Sequence, residues 1–245
     1  MNKKEYKRYW EDVDERLIYA ELDDRSWLLP ESLFGYKKAD SLYIYHQGKL
    51  SAFYSNKDTK EEARLGYDFY SRDANIAHVI GIKKEAKRKM DAFLLSLKDL
   101  RVLEISTAEL IRLMLETLDH QTDALRAHFL DQPQFFEHFE LEDDFRHVQK
   151  FEALAKARYE YSRKTWSEGL GFNHQLFTEY GRRSGLTLPE AESITRAELA
   201  TGKFDKAVLR ERSEKYVIHS NFHNHRTHST FLPNSRLKLI SVAAR

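Results

Sequence analysis

The sequence predicts a mainly α fold: a helical bundle with a small N-terminal β-hairpin and a short C-terminal strand or tail. Three observations carry this. Apolar residues recur at intervals of three and four through most of residues 58–218, the spacing of one helix face. Capping-box pairs precede apolar runs at Asp58/Glu61, Ser106/Glu109 and Thr195/Glu198. Only 9 glycines and 4 prolines occur in 245 residues, too few for a turn-rich β fold. The expected organisation is an N-terminal hairpin segment (1–57), a helical domain (58–218) and a His-rich basic tail (219–245).

In the first segment, Leu42–Tyr45 and Leu50–Tyr54 flank Gln47-Gly48-Lys49, which reads as a hairpin around a Gly-containing turn. Leu17-Ile18-Tyr19 is a further β-prone run. Trp10, Trp27 and the many tyrosines read as core and hairpin packing, with a ligand-stacking surface as the alternative.

From Asp58 the period changes. Ala63, Leu65, Phe69 and Tyr70 give one helix its apolar side. Asp73 is positioned to cap the next, whose stripe runs Ile76, Val79, Ile80, Ala86, Met90, Phe93, Leu94 and Leu97. Gly81 allows a break there. Lys83, Lys84, Lys87, Arg88 and Lys89 read as a solvated basic face, with a phosphate-binding patch as the alternative. Ser106 opens a long helix that Pro133 ends. Gln134–Phe139 reads as a packed aromatic corner. A further helix is expected from about Glu142 to Glu168, with Phe145, Val148, Phe151, Leu154, Ala155 and Tyr159 inward and Gly169 and Gly171 closing it. Leu176, Phe177 and Tyr180 continue into a short helix that Gly185 can end. Two brief helices capped by Thr195 and Asp205, the first stopped by Gly202, lead into a Tyr216–Ile218 strand.

Composition excludes several functional classes. Lys+Arg number 40 against 39 Asp+Glu, a net charge of +1, which gives no bulk attraction to nucleic acid or anionic membranes. Cysteine is absent, so disulfides and thiolate sites are excluded. No stretch has the roughly 20 apolar residues of a membrane span. The N-terminus lacks the apolar core of a secretory signal, and a cytoplasmic protein is expected.

One stretch goes further. Gly185-Leu186, Ile194-Thr195-x-x-Glu198-Leu199-x-x-Gly202 and Leu209-x-x-Arg212-x-x-x-Tyr216-Val217 resemble the helical linker preceding the swivelling phosphohistidine domain of phosphoenolpyruvate-utilising enzymes. These include pyruvate,water dikinase-like proteins and rifampicin phosphotransferases. The resemblance covers 183–218 best and extends over 58–218. It implies relation to a phosphotransferase whose ATP-grasp and phosphohistidine domains are not in this chain: no GxGxxG or GxxxxGK[ST] cradle occurs. Arg226-Thr227-His228-Ser229 lacks the glycines of the phosphohistidine context, so no phosphoryl group is expected on His228.

His219, His223, His225 and His228 are the candidate metal ligands. Imidazoles on one strand face can take Zn²⁺, Ni²⁺ or Cu²⁺, but no carboxylate lies between 216 and 245 to join them. A polar tail is the alternative, and a His-Asn-His nuclease frame is not expected. No catalytic or cofactor-binding residue is assigned. The expected function is a non-catalytic helical accessory or substrate-binding domain, with separate phosphotransferase domains or another protein as partner. A helical protein-interaction scaffold and a His-rich metal-binding protein or hydrolase are the alternatives.

Overall fold

The computed structural model describes residues 6–13, 16–26, 28–35, 40–139 and 148–221. It is mainly helical, with a small antiparallel sheet to which both an N-terminal hairpin and a late strand contribute. Strands β1 (Tyr6–Val13), β2 (Asp40–His46), β3 (Lys49–Ser55) and β4 (Lys215–Asn221) lie in the order β1-β3-β2-β4. The β2–β3 hairpin turns on Gln47 and Gly48, with φ of 53° and 79°. Positive φ at both central residues is the twist-matched turn for a two-residue hairpin, which explains the glycine.

Period-two alternation decides which side chains meet the helices. Tyr43 pairs with Ala52 on one side and Ile218 on the other, and Tyr45 with Leu50 and Tyr216. These residues form one apolar cluster with Tyr70, Ile76, Val79, Phe135 and Phe151. The Tyr45 and Tyr216 rings stack at 4.9 Å. Leu42, Phe53 and Val217 form a smaller cluster on the opposite face of the sheet.

Leu17–Tyr19 is helical, within α1 (Leu17–Ser26), and not a strand. Leu17, Ile18, Tyr19 and Ala20 are all apolar and buried, so the first turn of α1 shows no polar face to reveal its period. Packing overrides the β preference of Ile18 and Tyr19. A short α2 (Leu28–Phe34) follows. In α3 (Asn56–Tyr70) the cap is Ser55, whose hydroxyl accepts the Asp58 amide, three residues before the expected start. Helix α4 (Asp73–Ser96) runs unbroken through Gly81, and its N-cap is Arg72, without a side-chain bond. Ser106 caps α5 (Thr107–Phe129) as expected.

Pro133 opens a 3-10 turn, Pro133–Phe139, whose Phe135 and Phe136 are buried as the packed corner expected there. Phe145 lies outside the described residues. After a short 3-10 turn at Gln149–Phe151, helix α6 (Glu152–Ala157) passes through a π-helical segment, Arg158–Arg163, into α7 (Lys164–Ser184). Gly169 and Gly171 sit inside α7 and do not end it. A Cβ at Gly169 would come within 2.8 Å of Gln121 and Met90, so glycine there lets α5 and α7 approach closely.

Residues 183–218 build the end of the bundle. Gly185 takes the left-handed C-cap of α7 at φ 65°. Full capping boxes at Thr187/Glu190 and Thr195/Glu198 open α8 (Leu188–Ala191) and α9 (Arg196–Thr201). Asp205 caps α10 (Lys206–Glu214), which runs straight into β4. Leu199 and Leu209 are buried in a second apolar cluster with residues of α1, α5 and α7. The boundary at 57/58 therefore falls inside α3, and that at 218/219 inside β4. Among the described residues, no helix is long and apolar enough to cross a membrane.

Candidate functional site

The most chemically loaded place in the fold begins with Lys83. It was expected on a solvated basic face, and that expectation is overturned: its side chain is 0% exposed. The stripe Ile76, Val79, Lys83, Ala86, Met90, Phe93 keeps strict three–four spacing, so position 83 points inward whatever it carries. Its ammonium donates to Asp131 Oδ1 at 3.0 Å, to Ser162 Oγ at 3.4 Å and to the Ala127 carbonyl. Lys87, by contrast, pairs at the surface with Asp91 and Glu168.

Asp131 is also fully buried, in the turn that follows α5. Its Oδ1 receives a second cation, Arg158 Nη1, at 2.9 Å. Arg158 Nη1 also donates to the Asp131 carbonyl, and Nη2 lies 3.0 Å from His128 Nε2. That contact assigns His128 the tautomer with its proton on Nδ1. Burial holds the His128 ring well below its ordinary pKa, and the nearby Arg158, Lys83 and Arg163 charges add to the effect. Burial likewise lowers Lys83 to about 8, against the opposing pull of Asp131. Near neutral pH this cluster thus holds two cations, one carboxylate and a neutral imidazole, a surplus of one positive charge.

The π segment creates this arrangement. Buried positions run Leu154, Ala157, Ser162, Thr165, Gly169, and the five-residue step from 157 to 162 is the wider π turn. That step turns Ser162 inward and leaves Tyr159, expected inward, 60% exposed. Single-turn π segments of this kind recur at functional sites.

Beside this cluster lies a cleft of about 680 Å³ lined by β1, the π–α7 helix, the end of α5 and the aromatic corner. Arg158, Ser162, His128 and Gln134 line its floor, and Tyr9, Trp10 and Trp166 its walls. The Tyr9 hydroxyl reaches Glu137 at 3.4 Å, and Trp10 Nε1 donates to the Tyr54 hydroxyl at 3.0 Å. Gln134 is 1% exposed, yet neither of its amide atoms has a hydrogen-bond partner among the described residues. Asp131 Oδ2 is unpartnered in the same way. A buried amide without partners costs about 1–3 kcal/mol, a debt that a bound polar group would cancel. A second concavity of about 490 Å³ lies over α4 and α5. Its two cations, Lys89 and Arg126, are matched by two carboxylates, Asp123 and Glu85, and all four are partly exposed to solvent, so it has no comparable buried surplus.

Of the candidate metal ligands, His219 lies on β4 opposite Leu42, half-buried beside the outer apolar cluster. His223, His225 and His228 lie outside the described residues. Among the described residues, no group of three His, Asp or Glu side chains is placed to hold a metal ion.

The residues that carry the phosphoenolpyruvate-enzyme resemblance are used structurally. Arg212 pairs at 2.7 Å with Glu198 of the Thr195 capping box, and Arg210 pairs at 3.1 Å with Glu190 of the Thr187 box. Arg183 donates to the Ile105 and Val102 carbonyls and to Glu179, tying α7 to the α4–α5 connection. No protein-family model, curated protein or solved structure matches this chain.

Proposed function

We propose that the protein is a non-catalytic helical ligand-binding domain, an accessory or substrate-binding part of a phosphotransfer system whose other domains are separate. The cleft is the binding element. The observation that carries the reading is an unpartnered buried amide in a cleft that Arg158 also lines, backed by the surplus positive charge of the buried Lys83–Asp131–Arg158 cluster. Its volume of about 680 Å³ falls within the 300–1,000 Å³ of small-molecule sites. The relation to phosphoenolpyruvate-utilising enzymes rests on the sequence pattern over 58–218, best at 183–218, and a cytoplasmic setting accords with the lack of cysteine.

The test is thermal unfolding of the whole chain against a panel of small anions and their neutral analogues. Stabilisation by anions that saturates with concentration supports the reading, and a panel without any shift overturns it. A second reading, a protein-interaction scaffold, is favoured by Leu95 and Leu103, 67% and 73% exposed at the end of α4 and in the loop after it. Specific capture of one partner, lost on Leu95→Glu/Leu103→Glu while the anion response persists, would establish it.

A further inference from the structure

Resting on the binding reading above, we propose that the cleft selects a planar ring bearing a single carboxylate. The carboxylate sits on the Arg158–Ser162–Gln134 floor and the ring lies among Tyr9, Trp10 and Trp166.

Charge selects a monoanion. The Lys83 and Asp131 side chains are fully buried and that of Arg158 is 17% exposed, so the surplus charge of the trio is poorly solvated. A desolvated charge without a counter-ion is costly, and one negative charge cancels it, whereas a dianion reverses it. The other charged residues lining the cleft, Lys7, Arg8, Glu11, Glu137 and Arg163, are exposed to solvent and weigh less.

Donor count selects a carboxylate. Arg158 spends Nη1 on Asp131 and one Nη2 hydrogen on His128, which among the described residues leaves its Nε–H and the other Nη2–H uncommitted. Ser162 Oγ accepts from Lys83, so its own proton is free to be donated. The amide of Gln134 adds two more N–H groups without an acceptor. These donors belong to three side chains that line one cleft, where His128 has turned its lone pair to Arg158. A carboxylate, with two oxygens and about four lone-pair sites, uses more of this set than an amide or alcohol, which has one accepting oxygen.

The walls select a flat ring. Trp10 has its indole N–H engaged by Tyr54 and its ring set edge-on to Tyr43, so it offers the ligand ring contact and no hydrogen bond. Trp166 stands edge-on to Tyr19 at 6.0 Å, which fixes the plane of its indole. Pre-set aromatic faces of this kind bind planar groups at low entropic cost.

The experiment is calorimetric titration of the full chain with five probes: 2-naphthoate, 2-naphthamide, 2-naphthyl phosphate, acetate and inorganic phosphate. 2-Naphthoate is expected to bind about tenfold or more tightly than the isosteric amide, the scale of a lost charge-assisted contact. Acetate is expected to bind more weakly than 2-naphthoate for want of a ring. Gln134→Leu is the decisive variant. It is expected to weaken 2-naphthoate about fivefold or more while leaving the melting temperature unchanged or higher, since it deletes a buried amide without partners. A residue with a merely structural role would lose both together.

Tighter binding of 2-naphthyl phosphate, or equal binding of the amide, would overturn the carboxylate assignment and leave a ligand-binding cleft standing. Unweakened 2-naphthoate binding by Gln134→Leu would remove the ligand from this floor. No heat from any probe would count against the binding reading itself.

Discussion

Replacing Asp131 by Asn tests the electrostatic core of the site. The carboxylate holds Lys83 at 3.0 Å and Arg158 at 2.9 Å, with Lys83 and Asp131 both 0% exposed. Asn keeps the shape but removes the only negative charge of the trio, leaving two cations facing each other away from water. Breaking a buried pair from one side costs about 3–5 kcal/mol, much of the 5–15 kcal/mol that a whole domain has. Lys83→Met should behave differently. Asp131 keeps Arg158, the new side chain suits an apolar stripe, and a burial penalty disappears, so the cost is expected at or below about 1 kcal/mol. The double variant should lose less than the sum of the two, because the uncompensated ammonium is gone. Urea unfolding near neutral pH, followed by far-ultraviolet circular dichroism, measures all three, provided the slope with urea stays constant. The reasoning fails if Asp131→Asn costs under about 1 kcal/mol, or if Lys83→Met costs as much as Asp131→Asn.

Lys83 also sets a pH dependence. Its folded pKa of about 8 lies below the ordinary 10.5, so the unfolded state holds more protons between these values and stability should rise with pH there. The rise is about 2 kcal/mol by pH 10, and Lys83→Met should abolish it. Above pH 10 the gain is opposed, because burial raises Tyr70 well above its ordinary value of 10.0. His128 acts on the acid side: depressed well below 6.5, it stays neutral when folded but charges when unfolded, so stability should fall as pH drops below 6.5. His128→Gln should flatten that limb in pH-dependent urea melts. Two glycines separate close packing from free space. A Cβ at Gly66 would fall on the Phe135 carbonyl, so Gly66→Ala should destabilise by about 1–3 kcal/mol or more. Gly81 faces open space inside α4, and Gly81→Ala should stabilise by about 0.5–1 kcal/mol in the same assay.

Local chemistry was legible in the sequence wherever a few neighbouring residues settle the backbone. Ser106, Thr195 and Asp205 cap the helices they were expected to cap, because a side-chain oxygen two or three residues before an amide is a local fact. Gly185 and Gly202 end theirs in the left-handed conformation that glycine adopts without strain. Gln47-Gly48 turns the hairpin, and Tyr216–Ile218 is a strand. The signal for Lys83 was also present: the interval from Val79 through Lys83 to Ala86 places it on the buried face. Its charge argued for solvent, and the helical period prevailed because the partner that makes burial tolerable lies 48 residues away.

What only the tertiary structure decided is the site. No local rule brings Lys83, Asp131 and Arg158 to one point, since each comes from a different element and their stability depends on mutual charge. Nor does any residue type announce the π turn that moves Ser162 in and Tyr159 out; a five-residue step is one inserted position in a helix whose neighbours demand it. The cleft exists because β1, from the N-terminal segment, packs over helices more than a hundred residues later. The sequence alone determined the mainly α class, the caps, the hairpin turn and the final strand, all short-range consequences of side-chain and backbone chemistry. The charged floor, the aromatic walls and the joining of 42–54 to 215–221 in one sheet are long-range, and they follow from which buried surfaces found each other.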